Sequence, residues 1–308
     1  MCKTHTSYSI PQKVDCIQLP VIDFSDQTLR PGTSEWDKVK ANVRKALEDY
    51  GCFEALFDKV STELNKSVFQ AVVELFDLPV QTKQRYVSSK PFHGYLNKDL
   101  YQSFGIGDAN LVEKINDFTE QLWPDHESKR ISTTYVGTAY NSFMWFLDIL
   151  AFHKISISAG SHVFSEIIQL STHKSIQQRF QMVDQDPELT SKFHIDGLEI
   201  KTKDEKCFKV KPSQHSFIIK VGDSLCAFLN GRLSSPYHRV LMTAKKTRYS
   251  TALFSVPKSG VIIDSPEELI DEEHPRMLKL FQYNNYRDFL NTEAGRTAQS
   301  TLHTFCAL

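Results

Sequence analysis

A histidine, an arginine and a serine lie close together in the segment NGRLSSPYHRVLMTAKKTRYS, residues 230–250. His238 follows a turn that contains Pro236 and begins a run with the composition of a strand. Arg248 and Ser250 are two residues apart in the next predicted strand, so both side chains face the same side of a sheet. An arginine on an inward face needs an anion, and its guanidinium matches a carboxylate in bidentate geometry. The segment therefore predicts a site for a small carboxylate.

A second candidate lies in SKFHIDGLEIKTKDEK, residues 191–206, where His194 and Asp196 would point the same way in a strand. With His238 they would supply two imidazoles and one carboxylate, the facial triad that binds Fe(II) and leaves positions open for substrate and O₂. A lone His-x-Asp pair is common by chance. His238 could equally begin a strand, and Arg248 could belong to an exposed KKTR cluster. The combination is much more specific than its parts.

The composition is that of a soluble globular protein with a large core. The chain has 308 residues, of which 41% are apolar and 24% charged, and it contains 21 Phe. Its formal net charge of −1 gives no indication of a nucleic acid or a membrane surface as partner. The N-terminus lacks the apolar stretch of a signal peptide, and the six cysteines contain no C-x-x-C pair. We therefore expect a cytoplasmic protein that acts on a small molecule.

The sequence predicts two kinds of region around these residues, an N-terminal one of helices and strands and a C-terminal one of short strands. The N-terminal part alternates strand and helix, with a strand at 19–24, a helix that begins with Ser34 as its N-cap and ends at Gly51, and a second helix over 60–78. From about residue 208, short strands follow at the spacing of a sandwich or jelly roll. The predicted strands are SFIIKVGD (216–223), SLCAFLNG (224–231), YHRVLMT (237–243), RYSTALFSVP (248–257) and GVIID (260–264), and the tail over 276–305 is predicted to be helical.

The middle of the chain is different, because it sustains neither the helical nor the strand period. Such local disagreement usually marks function, strain or a sequence that no longer specifies its fold. We therefore divide the chain into a helix and strand region over 1–127, an atypical segment over 128–193, and a β core with a C-terminal helix over 194–308.

These residues resemble the plant Fe(II)/2-oxoglutarate-dependent dioxygenases. NGRLSSPYHRV and RYS look like the family's distal-histidine segment and its Arg-x-Ser clasp for 2-oxoglutarate, and KVGDSLCAFLNGR, LPVIDF and DYGCFEALFDKV extend the likeness. The sequence of these segments most resembles the branch that converts methionine-derived glucosinolate side chains into alkenyl or hydroxyalkyl forms. The resemblance implies an α+β or mainly β fold, a double-stranded β-helix (a cupin-like jelly roll) with flanking helices. It also implies Fe(II), 2-oxoglutarate as co-substrate and ascorbate as a further candidate cofactor. His238 would be the distal iron ligand, and Arg248 and Ser250 would bind 2-oxoglutarate.

The sequence departs from the family at one point. The family places a strand and a turn between its H-x-D pair and its Gly-Leu-Glu run, whereas Gly197 here follows Asp196 directly. Either His194 and Asp196 are the metal pair and the next strand is deleted, or DGLEI matches the family's later V-D-G-L-E-V run and the pair is lost. We favour the second alignment, which keeps more identical neighbours.

Both alignments remove one core strand, and the stretch SIQQRFQM lacks a tyrosine that the family places near 2-oxoglutarate. We expect a dioxygenase scaffold of the glucosinolate side-chain type with impaired or absent catalysis. One alternative is an active oxygenase that uses His194, Asp196 and His238. The other is a non-catalytic module that binds a small carboxylate through Arg248.

Overall fold

The computed structural model describes residues 18–26, 28–30, 32–58, 60–90, 92–98, 101–109, 111–123, 197–201, 207–211, 213, 215–241 and 247–308, and the backbone of 171–180. The strands are β1 Val21–Asp23, β2 Cys52–Leu56, β3 Gly94–Lys98, β4 Tyr101–Gly107, β5 Ser171–Phe180, β6 Leu198–Lys201, β7 Cys207–Lys209, β8 Ser216–Lys220, β9 Tyr237–Val240, β10 Arg248–Pro257, β11 Ile262–Ile263 and β12 Phe281–Gln282. The helices are α1 Ser34–Tyr50, α2 Thr62–Asp77, α3 Val80–Lys83, α4 Val112–Leu122, α5 Asp223–Phe228, α6 Tyr283–Phe289, α7 Glu293–Thr297 and α8 Thr301–Cys306. None of these described helices is both long and apolar enough to cross a membrane.

The first helix forms as the sequence predicts, one residue displaced at its start. The N-cap is Thr33 rather than Ser34, because the Thr33 side chain accepts a hydrogen bond from the Trp36 backbone N–H. Gly51 ends the helix with a φ of +68°. A Cβ at Gly51 would lie 2.2 Å from the Ser234 carbonyl oxygen, so glycine also permits the loop before β9 to approach.

The described strands form four sheets, in the orders β1-β2-β8, β10-β5-β4-β3, β7-β6-β9 and β11-β12. All pairs are antiparallel except β1 with β2. The sheet that carries β2 and the sheet that carries β6 pack against one apolar cluster, which contains Leu19, Cys52, Ile200, Phe208 and Val210. This packing brings β8 and β9 to the same interior.

The atypical segment contains a regular strand. β5 pairs with β10 over its full length, with Phe180 opposite Arg248, and on its other side it pairs with β4. Hydrogen bonds from two neighbours stabilise this strand, although its own sequence carries no period. The other parts of the segment, 128–170 and 181–193, lie outside the described residues.

The predicted strand SLCAFLNG at 224–231 is wrong, because this stretch begins with helix α5. The backbone N–H groups of Cys226 and Leu229 donate to the carbonyls four residues earlier, at 3.0 Å each. A helix suits the apolar run here because its side chains must reach two clusters. Leu225 packs against the cluster around Phe53, whereas Ala227 belongs to the cluster under the C-terminal helices.

A buried lysine joins the N-terminal helices to the second sheet. Lys83 is 3% exposed, and its ammonium donates to the Phe76 carbonyl at 2.7 Å and to the Gln102 side-chain oxygen at 3.1 Å. It also lies 5.6 Å from the centroid of the Tyr95 ring. The cation therefore satisfies a carbonyl at the end of α2 and fixes that end against β4.

Candidate active site

His238 lies on β9, directly opposite Ile200 of β6. Residues opposite each other in a ladder project from the same face, so the imidazole points to the side on which Ile200 is fully buried. Burial, and then the nearby charge of Lys220, lowers the pKa of His238 from 6.5 to about 3. The ring is therefore neutral at physiological pH, which is the form that binds a metal ion.

Arg248 and Ser250 begin β10, as predicted, and alternate with the buried Tyr249. The Tyr249 ring packs 6.1 Å from that of Phe76, in the core beneath the second sheet. Because side chains alternate along a strand, Arg248 and Ser250 project from the opposite face, where both are half-buried. A guanidinium and a hydroxyl on one half-buried face can bind a carboxylate.

Gly197 lies between the strand that carries His238 and the side chain of Arg248. Its carbonyl accepts a hydrogen bond from the Leu241 N–H at 2.7 Å. A Cβ at Gly197 would lie 2.9 Å from the Leu241 carbonyl oxygen and 3.6 Å from both Val240 Cγ1 and Arg248 Cδ. The first residue after the H-x-D pair therefore lies between the end of β9 and the stem of Arg248.

The other two predicted metal ligands, His194 and Asp196, lie outside the described residues. Within the described part of the chain, no group of three or more His, Cys, Asp or Glu side chains could hold a metal ion. The described residues thus fit a carboxylate ligand at Arg248 and Ser250, but they give Fe(II) a single imidazole. Of the predicted site residues, the structure locates His238, Arg248 and Ser250.

Lys220 is the neighbour that the sequence analysis missed. It is the last residue of β8. Its positive charge acts to lower the pKa of both His238 and the buried thiol of Cys52. Its signal in the sequence is a charged residue inside the apolar run SFIIKVGD. Strand parity alone could not show which sheet that lysine would face.

Comparison with known proteins decides the family. Residues 19–127 match a family described as non-haem dioxygenase in morphine synthesis N-terminal, and residues 179–257 match the 2OG-Fe(II) oxygenase superfamily. A protein of Arabidopsis thaliana named "Probable 2-oxoglutarate-dependent dioxygenase AOP1.2" is 55% identical over 318 residues, which cover 97% of this chain and 98% of that protein. The chain belongs to the 2OG-Fe(II) oxygenase superfamily. The family predicted from the sequence is therefore confirmed.

Other similar proteins and a similar solved structure are also dioxygenases by name. The Arabidopsis thaliana "2-oxoglutarate-dependent dioxygenase AOP3" is 37% identical over 401 residues, covering 94% of this chain and 98% of its own. A "Probable inactive 2-oxoglutarate-dependent dioxygenase AOP2" from the same plant is 36% identical over 391 residues, with 95% and 98% covered. The rice dioxygenase for auxin oxidation has a TM-score of 0.75 at 27% identity, covering 94% of this chain and 100% of that one.

The fold and the cofactors follow from these matches. JOX2, solved with 2OG, Fe and JA, also has a TM-score of 0.75, at 20% identity, over 99% of this chain and 96% of that one, a likeness of fold alone. The predicted double-stranded β-helix with flanking helices, a mixed α+β fold, is confirmed. Fe(II) and 2-oxoglutarate, the cofactors expected from the sequence, are those of the family. Ascorbate stays a prediction.

The alignments also show that this chain lacks internal residues. The alignment with AOP1.2 has 318 positions, whereas 97% of 308 residues is about 299, so about 19 positions have no counterpart here. A shorter alignment with an AOP1 protein gives the same result, since it has 298 positions and 91% of 308 is about 280 residues. Together, these unmatched positions are enough for one strand with its turn.

Proposed function

We propose that this chain is a 2-oxoglutarate-dependent dioxygenase scaffold with an incomplete metal centre. It keeps the 2-oxoglutarate clasp and a place for a small-molecule substrate, and its catalysis is impaired or absent. The observation that carries this proposal is the position of Gly197, beside Leu241 and Arg248 rather than beside His238.

The geometry of β6 separates Gly197 from His238. Gly197 precedes Ile200, the partner of His238, by three residues, which is about 10 Å at the rise of a strand. The donor atoms of two ligands of one metal ion lie within about 4 Å of each other, because each bond is about 2 Å long, so the strands that carry the two ligands must converge on the ion. A chain that continued the direction of β6 beyond Gly197 would lead away from His238. This supports the alignment in which DGLEI is the family's later run and the H-x-D strand is deleted.

The remaining residues have clear chemical roles. The Arg248 guanidinium binds a carboxylate with two parallel hydrogen bonds, and the Ser250 hydroxyl donates a third. The neutral His238 ring offers one donor and one acceptor to a ligand in the interior. Fe(II), when bound in this family, would activate O₂, which oxidises the substrate and 2-oxoglutarate together, with loss of CO₂ from the latter. One imidazole without a carboxylate leaves such an ion largely to water.

An active oxygenase that uses His194, Asp196 and His238 is the second candidate. The observation in its favour is the 55% identity to relatives named as probable dioxygenases. Under this reading the chain would reverse before Gly197 and bring the H-x-D pair back to His238.

Metal binding separates the two candidates. We expect anaerobic calorimetry with Fe(II), or with Mn(II) as its redox-stable probe, to show no stoichiometric tight complex. After exposure to air, the protein with Fe(II) and 2-oxoglutarate should form no succinate above the buffer rate. One tight equivalent of metal that is lost in both His194→Ala and Asp196→Ala would establish the active enzyme and overturn the proposal.

The 2-oxoglutarate clasp is tested in the absence of metal. In the presence of a chelator, 2-oxoglutarate should bind the wild-type protein, and Arg248→Ala should remove that binding. Arg296→Ala is the matched control, because Arg296 is an exposed residue of α7. Equal binding by wild type and Arg248→Ala would show that the clasp does not operate.

For the substrate, we propose a methionine-derived glucosinolate. The support is the sequence resemblance to the glucosinolate side-chain branch, together with 37% identity to AOP3. We expect a methylsulfinylalkyl glucosinolate to raise the thermal midpoint of the protein, while its desulfated form raises it less. No shift with either compound at millimolar concentration would reject this substrate class.

A further inference from the structure

The sheet β10-β5-β4-β3 has one face in the core, because Phe104, Ile106 and Tyr249 belong to a single apolar cluster. Side chains alternate along a strand, so the residues between these three project from the other face. On β10 that other face carries Arg248 and Ser250. We call it the clasp face, and a substrate bound beside the clasp would lie along it.

Two residues of β4 on the clasp face are glycines. Through β5, Gly105 lies in one row with Ala252, and Gly107 lies in one row with Phe254. Residues of one row project from the same face of a sheet. The row of Gly107 is four residues along β10 from Ser250, which is about 14 Å at the rise of an antiparallel strand. The two glycines therefore mark the part of the clasp face that extends away from the clasp.

The turn before β3 occupies the space that these glycines leave. A Cβ at Gly105 would lie 2.0 Å from the Phe92 carbonyl oxygen, and a Cβ at Gly107 would lie 2.9 Å from both Cδ2 and Nε2 of His93. Phe92 has a φ of +61°, which a bulky residue adopts only under strain. The chain therefore holds the His93 imidazole on the clasp face, against the backbone of β4.

Two exposed apolar side chains lie on the clasp face to either side of β4. Leu96 of β3 lies in one row with Ser250 and is 40% exposed, and Phe254 of β10 is 36% exposed. Apolar side chains of this kind line the parts of a pocket that contact the apolar parts of a ligand. The region around His93 therefore suits an alkyl chain better than a sugar or a sulfate group.

We propose that His93 is a specificity-determining residue that limits how far the alkyl chain of a substrate can extend along the clasp face. The inference rests on the proposed methionine-derived glucosinolate substrate and concerns the length of its side chain. The imidazole already fills the space that a Cβ of Gly107 would take, so it cannot retreat towards the sheet. A chain that reaches the ring must therefore leave the face or displace the turn.

Calorimetry of the full-length protein with methylsulfinylpropyl, methylsulfinylpentyl and methylsulfinyloctyl glucosinolate tests this inference. The wild type should bind the octyl compound more weakly than the pentyl compound. His93→Ala should reverse that order, with a gain of about fourfold in affinity for each methylene group that becomes buried in the vacated space. His93→Phe keeps a ring at this position and should keep the wild-type order.

Gly107→Ala provides a shift in the opposite direction. Its methyl group would push the His93 ring further over the clasp face, so the pentyl compound should lose affinity relative to the propyl compound. His303→Ala is the matched control, because it removes an exposed histidine of α8, and it should leave the order of the three affinities unchanged.

The outcomes separate this inference from the proposed function. The thermal midpoint of each variant serves as the check on folding. The wild-type order of affinities in a folded His93→Ala protein would overturn the role of His93, and so would a preference for longer chains in Gly107→Ala. Tightest binding of the octyl compound by the wild type would also overturn it. Absence of binding of all three compounds to every protein would instead reject the glucosinolate substrate, and this inference with it.

Discussion

Replacing Gly197 by alanine should disturb the contact between the end of β9 and Arg248. The new methyl carbon would lie 2.9 Å from the Leu241 carbonyl oxygen, closer than real Cβ atoms approach. The backbones cannot separate freely, because the Leu241 N–H donates to the Gly197 carbonyl at 2.7 Å. Gly197 also has a φ of +154°, which residues with a side chain rarely adopt.

The expected loss of stability has two causes. Backbone strain of this kind costs about 1–3 kcal/mol, and weakening the hydrogen bond costs about 1 kcal/mol more. With an m-value of about 3 kcal/mol/M in urea, a total of about 2–4 kcal/mol lowers the unfolding midpoint by about 0.7–1.3 M. Gly222→Ala is the control, because Gly222 has a φ of −105° and nothing within 4 Å of its Cβ position. Its free energy of unfolding should change by about 1 kcal/mol or less.

The assay combines urea unfolding, followed by fluorescence and circular dichroism, with calorimetry of metal-free 2-oxoglutarate binding. Gly197→Ala should lower the midpoint and weaken binding several-fold, because Arg248 is one of the groups that must move. A midpoint and an affinity equal to those of wild type would refute the packing inferred at Gly197. A lower midpoint with unchanged affinity would show that the strain does not reach Arg248.

Three further predictions concern other parts of the chain. Lys83→Met removes the hydrogen bonds to Phe76 and Gln102 and should lower the free energy of unfolding by about 1–3 kcal/mol in urea; no change would show that the cation is dispensable. Because the folded pKa of His238 is lowered, the neutral form stabilises the fold above about pH 6.5, and this contribution is lost as the pH falls towards 3. The urea midpoint of wild type should thus fall more between pH 7.5 and pH 5 than that of His238→Gln, and parallel pH profiles would contradict this. Replacing 128–197 by the corresponding segment of AOP1.2 should create Mn(II) binding that the parent lacks, and equal binding by both proteins would show that the deletion is not the cause.

Local elements with strong patterns were predictable. The amphipathic helices α1 and α2 form where periodicity and capping residues indicate them, and β10 has the predicted bounds, 248–257. Each depends on neighbours in the sequence, such as Gly51 at the end of α1. The apolar run that forms α5 was assigned to the wrong class, because a short apolar run suits a strand and a buried helix equally well.

Strand β5, in contrast, could not be predicted from its own sequence. Its sequence, STHKSIQQRF, has no alternation that would predict a strand, yet it lies between β4 and β10. The ladder hydrogen bonds that hold it come from residues about 70 positions away in either direction, for example Arg248 opposite Phe180. No local pattern records such partners.

The sequence by itself determined the chemistry that this protein can carry, which is an imidazole, a guanidinium and a hydroxyl at the spacing of the family's distal histidine and Arg-x-Ser clasp. It also showed the irregular join at Asp196 and Gly197. Only the tertiary structure decided that Gly197 lies against Arg248 and that strands β8 and β9 border the same apolar cluster. The physical reason is that strand parity fixes which residues share a face, whereas the packing of one sheet on another decides which faces meet.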